Sequence, residues 1–292
     1  MKIQFCGVRG STPAPGIEFV RYGGHTSCLA LSHDGGLGSD AQPDPQARRP
    51  TLVLDAGAGL TSVTSLLGGA PFDGTILLTH LHWDHVLGLP FFAAADNLAA
   101  RVEVLLPEQE SGASAESVLA GFMSPPYFPV EAADLRGEWS SATIPTGRME
   151  IEGFEVLARE VPHKGGRTFG YRISDGHSTL TYMPDHCPTT FGPGEDGFGA
   201  YHPTALELAR DADVLVHDAQ LFPEELAAEA DFGHAVADYA VELARRAGTR
   251  AVVLFHHRHN RTDDALDGLA GRLGGGTAPA VSVATEGTVL EL

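Results

Sequence analysis

Short stretches of alternating or continuous apolar residues, bounded by glycine or proline, open both halves of the chain. Residues 2–5, 27–32, 51–55 and 75–79 are rich in β-formers and predict strands, as do 101–106, 151–158, 169–173 and 179–183. The apolar runs 214–217 and 251–255 read as buried strands, and 280–284 with 288–292 as a closing strand pair. Helical spacing predicts helices over 60–67, 86–98, 114–123, 203–210 and 235–247, the last stopped by Gly248, with one more helix before the closing strands. Two stretches break the pattern. Residues 34–50 are polar and full of turn residues, which predicts a flexible loop insertion. Residues 124–130, SPPYFPV, cannot continue a helix and predict a rigid apolar loop, in which Tyr127 and Phe128 either cover a pocket and stack on a base or plug the core. Strands and helices are mixed in both halves, so the expected class is α/β: two sheets face to face with helices outside, in one domain over 1–292.

Composition changes this picture in one respect. Hydrophobic residues make up 43% of the 292 and charged residues 20%, ordinary for a chain with a real core. The formal net charge, however, is −19, which is the opposite of the basic footprint of a phosphate-backbone binder. Large polyanions such as tRNA would be repelled on approach, whereas a small anion can still be held where metal ions reverse the local sign. No apolar run approaches the length of a bilayer span, and MKIQFCGVRG enters a strand pattern with no signal-peptide core, so the expected location is cytoplasmic, with no membrane partner. Cys6, Cys28 and Cys187 are odd in number and widely spaced, which reads as free thiols; a site role for Cys187, close to Asp185, stays open.

The chemistry concentrates in TILLTHLHWDHVLGLPFF. A buried strand ends at Thr79, and His80, His82, Asp84 and His85 follow within six residues. Imidazole and carboxylate suit zinc, manganese or iron; thiolates would have pointed to structural zinc or iron–sulfur centres. So many unlike ligands on one turn make sense if they face two ions. A histidine-rich surface loop is the plain alternative, but HxHxDH at a strand end rarely arises by chance.

This HxHxDH segment resembles the signature of the metallo-β-lactamase superfamily, and further segments extend the likeness over nearly the whole chain. LDAGAGL resembles the first motif, in which Asp55 would hold a ligand histidine from behind. VPHKGGRTFGYRI resembles the segment that brings in His163, and LTYMPDH the one that carries Asp185. VLFHH resembles the strand end that supplies the last histidine, assigned to His256 with His257 as the alternative; His259 reads as a surface residue. The resemblance implies a four-layer αββα sandwich with two divalent ions, zinc first and manganese or iron as alternatives. It places His80, His82 and His163 on one ion, Asp84, His85 and His256 on the other, and Asp185 across both.

VLVHDAQ, with His217 and Asp218, and GHAVADYAVELA, with His234, resemble a paired motif of the RNase Z branch, in which a histidine protonates the leaving group. Asp84, His217 and His234 are therefore the expected catalytic residues, with core packing and a helix start as the plain readings of His217 and His234. CGVRGSTPAPG and RYGGHTSC resemble the start of phosphodiesterase-like members of that branch, except that His25 stands where an asparagine is expected. Arg9 and Ser11 lie in a turn that could meet a phosphate or be only a turn. His25, His33, His177, His186 and His202 read as surface or polar-network histidines.

Bacterial RNase Z carries a long tRNA-gripping arm between the third histidine and the bridging aspartate. Here only about twenty residues separate His163 from Asp185, enough for two strands and a turn. The expected activity is hydrolysis of small phosphodiesters, such as cyclic nucleotides or cyclic phosphates, by a metal-bridging hydroxide. An RNase Z-like endonuclease and a carboxyl-ester or lactone hydrolase are the alternatives. Homologous branches often pair as dimers, so the resemblance makes a homodimer one possible assembly.

Overall fold

A computed structural model describes residues 1–33, 49–275 and 278–292. In chain order the first seven strands are β1 (Lys2–Gly7), β2 (Arg9–Gly10), β3 (Cys28–Ser32), β4 (Leu52–Leu54), β5 (Asp73–Leu77), β6 (Arg101–Pro107) and β7 (Glu138–Ile144). The rest are β8 (Gly147–Ile151), β9 (Phe154–Glu160), β10 (Phe169–Ser174), β11 (Thr179–Met183), β12 (Val214–Asp218), β13 (Ala251–Phe255), β14 (His257–Arg258), β15 (Ala280–Val283) and β16 (Val289–Glu291). Seven helices accompany them among the described residues: α1 (Leu60–Leu66), α2 (Trp83–Val86), α3 (Ala115–Ala120), α4 (Pro203–Ala209), α5 (Leu226–Glu229), α6 (Ala237–Ala247) and α7 (Asp263–Leu273). No helix of the described residues is long and apolar enough to cross a membrane.

The strands form two mixed sheets, in the orders β16-β1-β3-β4-β5-β6-β7 and β15-β13-β12-β11-β10-β9-β8, and β14 pairs with β2. Each sheet is antiparallel on one side and parallel on the other, the switch falling at β4 in the first and β11 in the second. Side-chain alternation explains why the sheets stack. Ile3, Phe5, Leu29, Leu31, Leu52 and Leu54 meet Phe154, Val156, Tyr171, Tyr182, Val216 and Phe255 in the central core. The opposite faces are covered by helices: Val53, Ile76 and Val104 pack on Leu60, Val63 and Val86, while Leu215, Val252 and Leu254 pack on Leu208, Leu243 and Leu266. The result is the four-layer αββα sandwich.

The strands follow the apolar pattern, and the departures have local causes. The helix expected over 86–98 is a single turn, α2, followed by a 3-10 turn at Leu89–Phe91. Pro90 cannot donate a backbone hydrogen bond, and Gly88 is pressed against the Gly57 carbonyl, so the backbone turns off. The strand expected over 151–158 is a hairpin, β8–β9, whose turn residues Glu152 and Gly153 both have positive φ (50° and 78°). The expected closing pair separates: β15 joins the second sheet and β16 the first. The edge strand β7, EWSSATI, was missed because polar residues fill its alternating positions. Of the expected loop over 34–50, residues 34–48 lie outside the described residues.

Parallel strands bring their carboxyl ends to one rim, and there β4, β5, β11, β12 and β13 each end in a polar residue or segment. Gly57 lets the backbone close at this rim: a Cβ on it would stand 2.3 Å from the Asp84 carbonyl and 2.7 Å from that of Ser27. Gly268, exposed within α7, has no heavy atom within 4 Å of such a Cβ. We predict that Gly57→Ala destabilises the protein by about 3 kcal/mol through overpacking, whereas Gly268→Ala stabilises it by about 0.5–1 kcal/mol through helix entropy. Urea midpoints at constant m-value measure both.

Candidate metal centre

The site begins with one carboxylate. Asp55 follows β4 with φ 58°, a left-handed conformation that costs a non-glycine residue about 1–2 kcal/mol. That turn aims its side chain at the end of β5. Its Oδ1 accepts from the Thr79 backbone N–H (2.7 Å), and its Oδ2 from His85 Nδ1 (2.8 Å) and the Tyr182 hydroxyl (2.9 Å). Thr79 Oγ1 also donates to Asp55 (3.0 Å), so it accepts from His80 Nδ1 at 3.1 Å. These bonds settle two tautomers. His80 and His85 each carry their proton on Nδ1 and direct an Nε2 lone pair inward.

Five more residues converge on the same point. His163 donates Nδ1 to the Gly233 carbonyl (2.7 Å), which leaves its Nε2 lone pair 3.2 Å from His82 Nδ1 and 3.5 Å from Asp185 Oδ1. Asp185 Oδ2 stands 3.0 Å from His85 Nε2 and 3.4 Å from His256 Nε2. Asp84 Oδ2 is 3.1 Å from His256 Nε2 and accepts the Ser11 backbone N–H at 2.6 Å. The seven side chains thus form two groups, His80–His82–His163 and Asp84–His85–His256. The two oxygens of Asp185 are divided between them.

These groups fit metal ions. His80 Nε2 and Asp185 Oδ2 are fully buried without a hydrogen-bond partner, and the His163 Nε2 lone pair faces Asp185 Oδ1 at 3.5 Å. Such an arrangement is repulsive unless a cation stands between the atoms. Ligand atoms about 2.0–2.1 Å from a tetrahedral zinc are about 3.3 Å apart, near the 3.0–3.5 Å of most of these pairs, with His80 Nε2 farther out at 3.9 Å from Asp185 Oδ1. The charge states agree. Burial lowers the pKa of His80 and His82 and brings that of His163 to about 4, so these rings are neutral ligands near pH 7. Burial opposes charge on His85 as well, but Asp185, Asp84 and Asp55 outweigh it and hold its pKa well above the ordinary value. A proton on His85 therefore competes with a cation for the same place.

His256, not His257, reaches the cluster. By strand alternation it should point with Leu254 toward the helices, but its φ of 58° turns it to the rim. His257 donates Nε2 to the Ala284 carbonyl (2.9 Å) and faces away. Of the expected proton donors, His234 is at the site: its Nδ1 donates to Asp218 Oδ2 (3.0 Å) and lies 3.6 Å from Asp185 Oδ1. His217 is not, which corrects the expectation for it. It alternates with Leu215 and Ala219 on the helix-covered face, fully buried against Tyr239, and bonds His186. Its neighbour Asp218 takes the place beside His234. That residue was overlooked as a site candidate, although adjacent strand residues cannot share a face and the HD pair allowed either one.

The remaining candidates are structural. Arg9 is fully buried, donating to the carbonyls of Gly23 (2.7 Å) and Arg261 (2.6 Å), so it meets no phosphate. His25 pairs with Glu286, and His33 stacks on Phe154. Cys187 Sγ sits by Thr189 Oγ1 (3.4 Å), outside the ligand groups. Tyr127 is 79% exposed and, with Phe128, Phe91, Phe122 and Trp83, lines an apolar cleft of about 470 Å³. Trp83, itself 78% exposed, stands between His82 and Asp84 in the chain, so this cleft adjoins the metal centre through α2.

Comparison with known proteins agrees with this geometry. The family model described as a beta-lactamase superfamily domain matches residues 51–257. A ribonuclease Z of Gemmatimonas aurantiaca is 25% identical over 83% of this chain and 87% of its own length. Among solved structures, the metallo-beta-lactamase fold protein YhfI of Bacillus subtilis covers 100% of this chain and 98% of its own at TM-score 0.67 and 18% identity. A diphosphatase of the PhnP family covers 100% and 97% at TM-score 0.60 and 18% identity. Zinc-bound PqqB of Methylobacterium extorquens covers 100% of both chains at TM-score 0.61 and 18% identity. The chain belongs to the beta-lactamase superfamily, and within it is a metal-dependent hydrolase with a His/Asp cluster suited to two divalent ions.

Proposed function

We propose that the chain hydrolyses small phosphodiesters, cyclic nucleotides and other cyclic phosphates among them, with zinc as the first-choice metal. The observation that carries this reading is the Asp218–His234 pair beside Asp185. Asp218 Oδ2 holds His234 Nδ1, and among the described residues His234 Nε2 has no protein partner. A proton donor held at the rim of a metal cluster is what a poor alkoxide leaving group requires.

His80, His82 and His163 would hold one cation, Asp84, His85 and His256 the other, and Asp185 both. When bound, two such cations supply Lewis acidity toward the phosphoryl oxygens and acidify a water to a nucleophile at neutral pH. The protein does the rest. Asp84, fixed by the Ser11 N–H at Oδ2 and kept ionised against burial by His85 and His256, leaves Oδ1 to accept a hydrogen bond from the attacking water and orient it. Burial would deprotonate His234, but Asp218 and Asp185 raise its pKa to about 9, so the ring is charged near pH 7. It delivers the Nε2 proton to the departing oxygen, and the carboxylate of Asp218 stabilises the imidazolium before transfer. The apolar cleft along Trp83 and Tyr127 supports a substrate with an aromatic or apolar substituent, or a homodimer formed across that face.

Cleavage of tRNA precursors is the second reading, favoured by the ribonuclease Z relative. Against it stand the net charge of −19 and the segment from His163 to Asp185, which contains only β10, β11 and their connections.

Hydrolysis of bis-(p-nitrophenyl) phosphate by zinc- and manganese-loaded protein, beside a lactone, p-nitrophenyl acetate and a tRNA precursor, tests the proposal. We expect turnover of the diester and its loss, by at least about 10³-fold, in Asp84→Ala. Turnover confined to the carboxyl esters, or to the tRNA precursor, would overturn it. His234→Ala should cost about 10²–10³-fold on a cyclic nucleotide, whose alkoxide needs the proton, and less than about 10-fold on the p-nitrophenyl diester, whose leaving group does not. Because the proton-bearing form of His234 is the active one, kcat on the cyclic nucleotide should fall as pH rises toward 9. Cations beside the ring can only move that limb lower, and His234→Ala should abolish it.

A further inference from the structure

Behind the metal centre, on the helix-covered face of the second sheet, lies a pair of fully buried histidines that the mechanism above does not use. His217 Nδ1 donates to the Asp218 carbonyl at 2.7 Å. A neutral ring that donates from Nδ1 must accept at Nε2, and the atom it faces there is His186 Nδ1, 3.0 Å away. His186 Nδ1 therefore carries the proton. The direction of the whole chain follows: His186 donates to His217, and His217 donates to the Asp218 carbonyl.

This chain joins two segments that each carry a functional carboxylate. His186 follows Asp185 directly on the loop leaving β11, and its backbone N–H also donates to Asp218 Oδ2 at 3.1 Å. His217 precedes Asp218 at the end of β12, with Met183 and His217 in register across the parallel pair. The β11–β12 pairing ends at Met183 and His217, so the backbone ladder no longer controls where Asp185 stands, whereas Asp218 is still held in register with Phe255 of β13. The Cys187 N–H bond to the Pro162 carbonyl (2.6 Å) ties the same loop to the segment carrying His163. Tyr239 of α6 packs against both imidazoles, with ring centroids 5.5 Å from His186 and 5.8 Å from His217.

We infer that His217 is a positioning residue: through His186 it locks the Asp185 loop onto the end of β12 and sets the spacing between the aspartate shared by the two cation sites and the Asp218–His234 pair. The metal-holding part of this inference rests on the ligand groups alone, and its proton-transfer part on the phosphodiesterase reading. Removing the lock keeps every ligand in place but leaves the loop that presents one of them on two backbone bonds alone, His186 N–H to Asp218 and Cys187 N–H to Pro162. Supports one step behind a ligand typically change metal affinity or activity about 10–100-fold when removed.

The test uses metal-stripped full-length protein titrated with zinc in a calorimeter, followed by kcat–pH profiles of the reloaded protein. His217→Phe keeps the volume and removes both hydrogen bonds, whereas His217→Gln restores an acceptor near the Nε2 position. His186→Leu breaks the same lock from the other side, and His186→Asn keeps a donor near Nδ1. We expect His217→Phe and His186→Leu to weaken the weaker zinc about 10–100-fold, with the double variant no worse than either single one. The Gln and Asn variants should recover most of the loss. The alkaline limb of kcat should survive in every one of these variants. Wild-type zinc affinity in His217→Phe would overturn the inference, as would an alkaline limb that vanishes with His217. Should His217→Phe fail to fold, His186→Leu and its Asn rescue decide the matter by the same readout. An absence of diesterase activity alongside the expected zinc losses would instead refute the functional proposal and leave the lock standing.

Discussion

The buried carboxylate of Asp55 is the constraint on which the rest of the centre depends. It lies in a left-handed turn and accepts from the Thr79 backbone, the Thr79 hydroxyl, the His85 ring and the Tyr182 hydroxyl. Three of these donors come from Thr79, just after β5, and from His85 in α2. The fourth comes from the opposite sheet. One anion therefore orients two ligand histidines and fastens the two sheets to each other at the rim. A buried charge is tolerable only when it is fully hydrogen-bonded, so the donors and the anion require one another. The same bonds that lower the cost of burying Asp55 aim His80 and His85 inward.

The fold supplies the rim, and strained backbone supplies the final aim. Parallel pairing in both sheets carries Asp55, His80, Asp185, Asp218 and His256 to strand ends on the same side of the sandwich. Strict alternation would point several of them wrongly. Ser11, Asp55 and His256 all adopt positive φ, and all three act at the site, Ser11 through its N–H to Asp84. Strain of this kind persists only where surrounding packing over-determines the conformation. Here the packing is the closed backbone approach that Gly57 permits, together with the central core beneath it.

The electrostatics are unusual for a protein proposed to act on phosphates. The chain as a whole carries −19, and the centre itself contains Asp55, Asp84, Asp185 and Asp218. On that proposal, an anionic substrate would be accommodated where divalent cations change the sign at that one point. This couples function to metal more tightly than ligation alone. The proposed function would then favour small diesters, which can approach within the field of the cations, over long polyanions, which must first cross an acidic surface with a screening length of about 8 Å at physiological salt.

Much of the architecture was legible along the chain. Apolar alternation with glycine and proline boundaries located most of the strands, because burial of a sheet face imposes a period of two on the residues themselves. It failed where local chemistry departs from that rule, in the polar edge strand β7 and in the helix that Gly88 and Pro90 cut to one turn. The ligand types and their crowding after Thr79 were likewise readable, since a metal's demand for imidazole and carboxylate is written in residue identity. What sequence could not decide was direction. In each of the pairs His256–His257 and His217–Asp218, one residue faces the centre and the other does not. Which one it is depends on sheet register and on a left-handed φ at His256, and both are set by contacts with distant segments. Residue types determined what the site could bind; only the packing of two sheets, over sequence separations of up to 172 residues, determined which side chains would meet there.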